Sequence, residues 1–297
     1  MKNLFLIFLI VSLAFISCTK NDLNKEVLDV NNLELNKSNN NNNYQITREI
    51  SYGSSPEQTF DIYSPINSLT IIKTKVIVLI HGGSWMNGDK SSMEELLVRI
   101  QSTNPNYTIV NMNYVLANDN NFAFPNQFND IDLVLNELTS NQEVYHIIPE
   151  FTLLGKSAGA QLALMYDNTF DKLDRVKTVC SISGPTDFTH TVFQDDPDFD
   201  YLFDLLVDKN YYSYSYGINL EISPLFQINR RTSPTIIFHG TNDVKVPIEN
   251  AELLEEKLNR NRIPNKLLVF NEGHSNWSSN TMQVFDIELK LFLEKNF

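Results

Sequence analysis

Three short stretches hold residue types that together can do nucleophilic chemistry. Gly155-Lys156-Ser157-Ala158-Gly159 follows the apolar stretch 151–154 and precedes a helix-forming run. In that context G-x-S-x-G makes a sharp turn that exposes one side chain above a sheet. Ser157 is then a nucleophile once a base takes its proton. The flanking glycines relieve crowding where strand and helix backbones pass closely. His81-Gly82-Gly83-Ser84-Trp85 follows the apolar run 76–80. Its freed amides can donate to a developing oxyanion, beside the amide of the residue after the nucleophile. Gly83, Ser84 and Ala158 are therefore the expected donors, with Gly82 in reserve. His239-Gly240-Thr241-Asn242-Asp243 and Glu272-Gly273-His274 each follow a further apolar run. Asp243 is expected to orient a histidine and stabilise its imidazolium, with His274 as base and then acid. The order Ser157, Asp243, His274 along the chain fits one known triad arrangement and differs from two others.

The other candidates fit blander roles. His81 lies too near a strand end to be the base and is expected to hold its loop by hydrogen bonds, while Trp85 packs or walls a pocket. His146, His190 and His239 lie in no loop after a late strand, and His239 is expected to pack behind Asp243. Asp187 follows a strand and is the alternative acid, whereas Asp130 and Asp132 sit on a predicted helix and are expected in solvent. Lys156 is expected to face solvent, away from Ser157, which argues against a Ser–Lys pair. Cys180 lies mid-strand as an inert buried thiol.

These residues need a sheet to carry them. A hairpin is expected over 45–52 and 59–63, turning at Gly53-Ser54-Ser55-Pro56. Strands are expected at 76–80, 108–112, 151–154, 178–182, 235–239 and 267–270. Ser91 or Ser92 can cap a helix through about 102, with Glu94 and Glu95 near its positive end. Further helices are expected over 128–138, 158–166, 249–261 and 282–294. The alternation implies an α/β fold, a mostly parallel sheet with helices on both faces. No internal repeat is present. The stretch 186–223 breaks the rhythm: it is long and rich in Phe, Tyr and Asp. Such an insertion is often a lid or binding loop. The alternative is a peripheral helical excursion with its own small core.

Composition narrows the rest. The 297 residues are 42% hydrophobic and 20% charged, which is globular. With 36 acidic against 23 basic residues the net charge is −13, which argues against nucleic-acid partners. Two cysteines at this length exclude a disulfide scaffold, and no Cys/His spacing suits a metal site. Lys2 precedes an apolar run from Leu4 to Ile16, too short to span a membrane and suited to an export signal. The run ends at Phe15-Ile16-Ser17-Cys18, which resembles a bacterial lipoprotein signal, except that Phe15 stands where Leu is usual. The expected organisation is a signal peptide over 1–17, a polar tether over 18–44 containing the run Asn39 to Asn43, and a folded domain over 45–297. Acylation of Cys18 would then hold the domain at the cell envelope or surface, with the lipid as its only membrane contact.

Over 45–297 the sequence resembles the α/β-hydrolase superfamily. Within it, His81-Gly82-Gly83-Ser84-Trp85 with Gly88-Asp89-Lys90, and Asn113-Tyr114 with Phe124-Pro125 and Asp130, are similar to the carboxylesterase, feruloyl/acetyl-esterase-like and hormone-sensitive-lipase-like groups. Ser84 stands where a third glycine is common, and Gly159-Ala160 where Gly-Gly is common in the lipase-like group. The resemblance implies hydrolysis of small-molecule or carbohydrate-linked esters through an acyl-enzyme, without metal or organic cofactor. A base that must be neutral implies that kcat/KM falls below about pH 7. An amidase, peptidase or arylformamidase on the same triad is the alternative enzyme. A non-catalytic surface binding protein is the alternative outside catalysis, and the intact triad and glycines argue against it.

Overall fold

Apolar residues run without a break from Val76 to Ile80, and such a run suits a strand covered on both faces. In the computed structural model this stretch belongs to β3 (Thr74–Ile80), a central strand of an eight-stranded sheet. The structure describes residues 43–66, 73–197, 199–212 and 217–297. The expected signal peptide, Cys18 and all but the last two residues of the expected tether lie outside the described residues, and Tyr44 already belongs to the first strand.

The sheet opens with the expected hairpin of β1 (Tyr44–Ser51) and β2 (Thr59–Pro65). It continues through β4 (Thr108–Met112), β5 (Ile147–Lys156), β6 (Val176–Ile182), β7 (Thr235–Gly240) and β8 (Asn265–Phe270). The order is β1-β2-β4-β3-β5-β6-β7-β8. β2 runs against both its neighbours, β1 and β4; β3 through β8 are parallel to one another.

Period-two alternation divides the core into two layers. Val76, Val78 and Ile80 join Phe128, Ile131, Leu135, Leu162 and Leu254 on one face. Ile77 and Leu79 join Leu97, Ile100, Phe285 and Leu289 on the other. The helices concerned are α1 (Glu94–Thr103), α2 (Asn126–Ser140), α3 (Ala158–Met165), α8 (Glu249–Arg260) and α9 (Ser279–Asn296). Each fully buried apolar side chain of β3 contributes about 1.5–3 kcal/mol relative to exposure. A π-helical turn over Tyr166–Phe170 extends α3.

Two local expectations are corrected. Asp89, not Ser91 or Ser92, caps the helical start: its Oδ1 accepts from the Ser91 amide at 2.8 Å, and a 3-10 turn over Lys90–Met93 leads into α1. Asn113 Nδ2 holds the other oxygen of Asp89 at 2.8 Å. Partial burial acts against the charge, but these hydrogen bonds and Lys90 prevail and lower the carboxyl to about 2. Asp130 is buried rather than solvated, because it shares the inner face of α2 with Gln127 and Ile131. Its oxygens accept from the Val115 amide at 2.8 Å and from Gln58 Nε2 at 2.7 Å. Asp132 is half-buried and pairs with Arg175 at 2.8 Å.

The stretch 186–223 contains α4 (Thr191–Gln194), α5 (Phe199–Leu206) and α6 (Ile218–Glu221), and α7 (Pro224–Gln227) follows it. Asp198, Tyr214 and Tyr216 of this stretch lie outside the described residues. Its rings continue a row that begins at Trp85: Trp85–Phe188 at 5.7 Å, Phe188–Phe193 at 5.4 Å, Phe193–Phe199 at 6.3 Å and Phe199–Phe203 at 5.6 Å between centroids. Backbone bonds from Phe124 N to Leu206 O and from Asp208 N to Phe124 O fasten the stretch to the segment before α2.

Candidate active site

Parallel strands all end at the same edge, so the loops after β3, β5, β7 and β8 gather there. Ser157 is the turn between β5 and α3, at φ 55° and ψ −121°. A non-glycine residue in that region is strained and persists only where its surroundings fix it. The Ser157 amide donates to Ile182 O at 2.8 Å, and the amides of Ala160 and Gln161 bond back to its carbonyl. The helix crosses very close to β3: a Cβ on Gly159 would lie 2.2 Å from Ile80 O.

His274 stands between the other two groups. Its Nε2 lies 2.8 Å from Ser157 Oγ, and its Nδ1 lies 2.7 Å from Asp243 Oδ2. An ionised carboxylate only accepts, so Nδ1 carries the proton and Nε2 accepts from the serine hydroxyl. Asp243 Oδ1 accepts from the amides of Lys245 and Val246 at 2.9 and 3.0 Å. Burial acts to raise the Asp243 carboxyl, but the hydrogen bonds from His274, Val246 and Lys245 outweigh it and hold it below the usual carboxylate range. His239 packs behind, donating Nε2–H to Val246 O at 2.8 Å, with Asp243 Oδ2 3.5 Å away.

The loop after β3 abuts the serine turn. A Cβ on Gly82 would lie 2.9 Å from Lys156 O and 3.1 Å from Ser157 Cβ. Gly83, Ser84 and Trp85 have φ of 127°, 53° and 63°. Among the described residues, the amides of Gly83, Ser84 and Ala158 meet no acceptor. His81 Nδ1 bonds to Gly82 O at 2.7 Å, and its ring stacks on Tyr114 at 4.2 Å, so it holds the loop. This set can deprotonate a serine hydroxyl beside unpaired amides, which is the equipment for attack on a carbonyl.

The rival groups lie elsewhere. Asp187 accepts from Thr189 N and Oγ1 at 2.8 and 2.6 Å, while the His274 Nδ1–H goes to Asp243. His190 caps α4 through Nδ1, and His146 sits exposed in a turn at φ 53°. Lys156 is half-buried rather than solvent-facing, and burial lowers its ammonium despite Glu95. Cys180 is fully buried, which pushes its thiol up. Among the described residues no cluster of three His, Cys, Asp or Glu could hold a metal ion.

Sequence reasoning missed two buried glutamines. Gln127 Nε2 donates to Trp85 O at 2.7 Å and Val115 O at 2.9 Å. Gln161 Oε1 accepts from Trp85 Nε1 at 3.0 Å. The available signal was a lone amide within the apolar run Ala158–Met165.

The architecture is that of the α/β-hydrolase fold. The sequence model of the BD-FAE family matches residues 60–258, more than half of the chain, and the chain belongs to that family. The matched span includes Ser157 and Asp243, and His274 lies beyond it. A truncated carbohydrate esterase from gut microbiota superposes with a TM-score of 0.68 at 16% identity, covering 84% of this chain and 97% of that one. An acetyl ester-xyloside bifunctional hydrolase from Caldicellulosiruptor lactoaceticus gives 0.64 at 17% identity, over 80% of this chain and 88% of that one. A carboxylesterase from Lactobacillus plantarum WCFS1 gives 0.68 at 11% identity, over 84% and 98%. At these identities the likeness is one of fold. No curated protein sequence matched the chain.

Proposed function

We propose that the chain is a serine hydrolase that cleaves carboxylic esters of small or aryl acids through an acyl-enzyme. The observation that carries this reading is the hydrogen-bonded row Ser157 Oγ–His274–Asp243, with contacts of 2.8 and 2.7 Å. Ser157 Oγ adds to the ester carbonyl carbon while His274 Nε2 takes its proton. The carbonyl electron pair moves onto oxygen, where the amides of Gly83, Ser84 and Ala158 donate to it. The C–O bond to the alcohol then breaks, and His274 returns the proton to the departing oxygen. Water attacks the acyl-Ser157 ester in the same way, releasing the acid and restoring the serine.

A carbohydrate-linked ester is the substrate class this reading favours. Tyr201 and Tyr211 of the 186–223 insertion are 68% and 58% exposed and offer faces on which sugar rings can stack. The carbohydrate esterase and the acetyl ester-xyloside hydrolase named above share the fold. Initial rates on p-nitrophenyl acetate and acetate release from acetylated xylan test both parts, using the full chain and its Ser157→Ala variant. Turnover lost in Ser157→Ala is expected. Equal rates in both proteins would defeat the serine mechanism, and no release from any acetylated glycan would defeat the carbohydrate assignment.

We further propose that Cys18 is acylated and that 1–17 is removed on export. Lys2, the apolar run Leu4 to Ile16 and the small Ser17 before Cys18 support this. Incorporation of a labelled fatty acid in a bacterial host, lost in Cys18→Ala, is the expected result; equal labelling would defeat it.

A further inference from the structure

We propose that Gln161 is a positioning residue for the oxyanion cradle, holding the 83–85 loop at a fixed distance from the helix that carries the Ala158 amide. The inference rests on the ester-hydrolase reading above and deepens it.

The loop needs such a hold. Three successive residues, Gly83, Ser84 and Trp85, have positive φ, and two of them carry side chains. Backbone in that region persists only when neighbours over-determine it. Trp85 is gripped from both ends. Its carbonyl accepts from the Ala117 amide at 3.0 Å and from Gln127 Nε2 at 2.7 Å. Its indole Nε1 donates to Gln161 Oε1 at 3.0 Å.

Gln161 is fully buried and lies four residues after Ser157, one helical turn along α3. Its Nε2 donates to Ile222 O at 3.0 Å. One side chain therefore joins three pieces: the helix that begins with the Ala158 amide, the loop bearing Gly83 and Ser84, and the far end of the 186–223 insertion. The rest of α3 is apolar, so a hydrocarbon would suit the burial alone. What the amide adds is one donor and one acceptor in fixed relation. The two halves of the cradle come from different strands, and an oxyanion is held well only if both sets of amides meet the same point. That oxygen is anionic only near the transition state, so a shift between the halves lowers kcat rather than raising KM.

The test uses the full chain with Gln161→Met, Trp85→Phe, the double variant and Gln161→Glu. Readouts are kcat and KM on p-nitrophenyl acetate and the inhibition constant of an aryl trifluoromethyl ketone. That ketone takes Ser157 Oγ at its carbonyl carbon, its oxygen becomes anionic, and the serine proton passes to His274. In Gln161→Met, kcat is expected to fall about tenfold or more with KM changed less than about threefold, short of the 10²–10³-fold that removing a donor costs. The ketone is expected to weaken in proportion to kcat/KM. Trp85→Phe keeps an aromatic ring against Phe124 and Phe188 while removing the indole donor and part of the ring volume; it serves if Gln161→Met does not fold, and is expected to give the same split. The double variant is expected to be little worse than either single. Gln161→Glu keeps an acceptor for the indole, and burial keeps its carboxyl protonated so that its O–H can donate to Ile222 O; it is expected to retain more kcat than Gln161→Met. A change in KM alone, ketone affinity unchanged in both single variants, or fully additive losses would overturn the assignment. If Ser157→Ala turns over as fast as the parent, the hydrolase reading fails and this one with it. If Ser157→Ala is inactive while Gln161→Met and Trp85→Phe keep kcat and ketone affinity, this inference alone fails.

Discussion

His274 Nδ1 lies 2.7 Å from Asp243 Oδ2, and the two side chains are only 15% and 0% exposed. Asp243 is held below the usual carboxylate range by its hydrogen bonds, in spite of burial. Its charge therefore persists to lower pH than that of an ordinary carboxylate. The acid limb of log kcat/KM against pH is expected to have a slope of one, from a single ionisation. A slope of two would mean that the Asp243 carboxyl also gains a proton on that limb. The same lowering gives a stability contribution that is present above the ordinary carboxylate pKa and is lost as pH falls through the folded value.

Asp243→Asn should leave the fold in place and reduce kcat about 10⁴-fold, because the amide no longer enforces the productive imidazole tautomer. His239 offers no substitute, since its Nε2 is committed to Val246 O. A loss under about tenfold, in a variant with an unchanged melting curve, would remove Asp243 from the mechanism.

Gly82→Ala pushes against backbone, not against a flexible side chain. The added Cβ would lie 2.9 Å from Lys156 O and 3.1 Å from Ser157 Cβ, so the loop and the serine turn must separate. We expect kcat/KM to fall by about 10²-fold, the scale of one lost oxyanion donor, with stability lowered by about 1–3 kcal/mol from the overpacking. Parental activity would show that this separation is not critical.

Asp167 predicts a pH dependence of stability in the opposite direction to Asp243. Burial pushes its carboxyl up to about 7, although Ser233 donates to it through N and Oγ at 2.9 and 2.6 Å. The folded state then binds a proton that the unfolded state has released between about pH 4 and 7. Stability is expected to decline as pH rises through that window, by on the order of a few kcal/mol from this group. Urea unfolding of the parent and Asp167→Asn at pH 5 and pH 8 checks it: the variant should lose less on going to pH 8. Identical differences in the two proteins would remove the assignment.

The sheet was legible because its strands are continuous apolar runs, as at Val76–Ile80, and such runs have few other uses in a soluble domain. That Ser157, Asp243 and His274 meet at one edge was legible because each follows such a run, and parallel strands bring their ends together. The Asp89 cap was not, because Ser91 and Ser92 carry the same kind of signal, and Asn113, which holds the other oxygen of Asp89, lies 24 residues further along the chain. Asp130 misled because a carboxylate on a helix is usually solvated; its partners, Gln58 and the Val115 amide, come from elsewhere in the chain. The short helices after Thr186 were illegible for a related reason. Three of them span only four residues, too few to show a period, and the first of them is held by ring contacts of Phe193 with Phe188 and Phe199.

The row of rings from Trp85 to Phe203 bears on timing. A segment that swings away must expose whatever it covers, and here that includes Phe188 and Phe199, both buried. Stripping two phenylalanines of their packing costs several kcal/mol, which makes an opened form rare. The arrangement of the 186–223 stretch is thus set when the chain folds. A chain with this stretch already seated has no slow closing step, so a progress curve followed from the first milliseconds should begin without a lag.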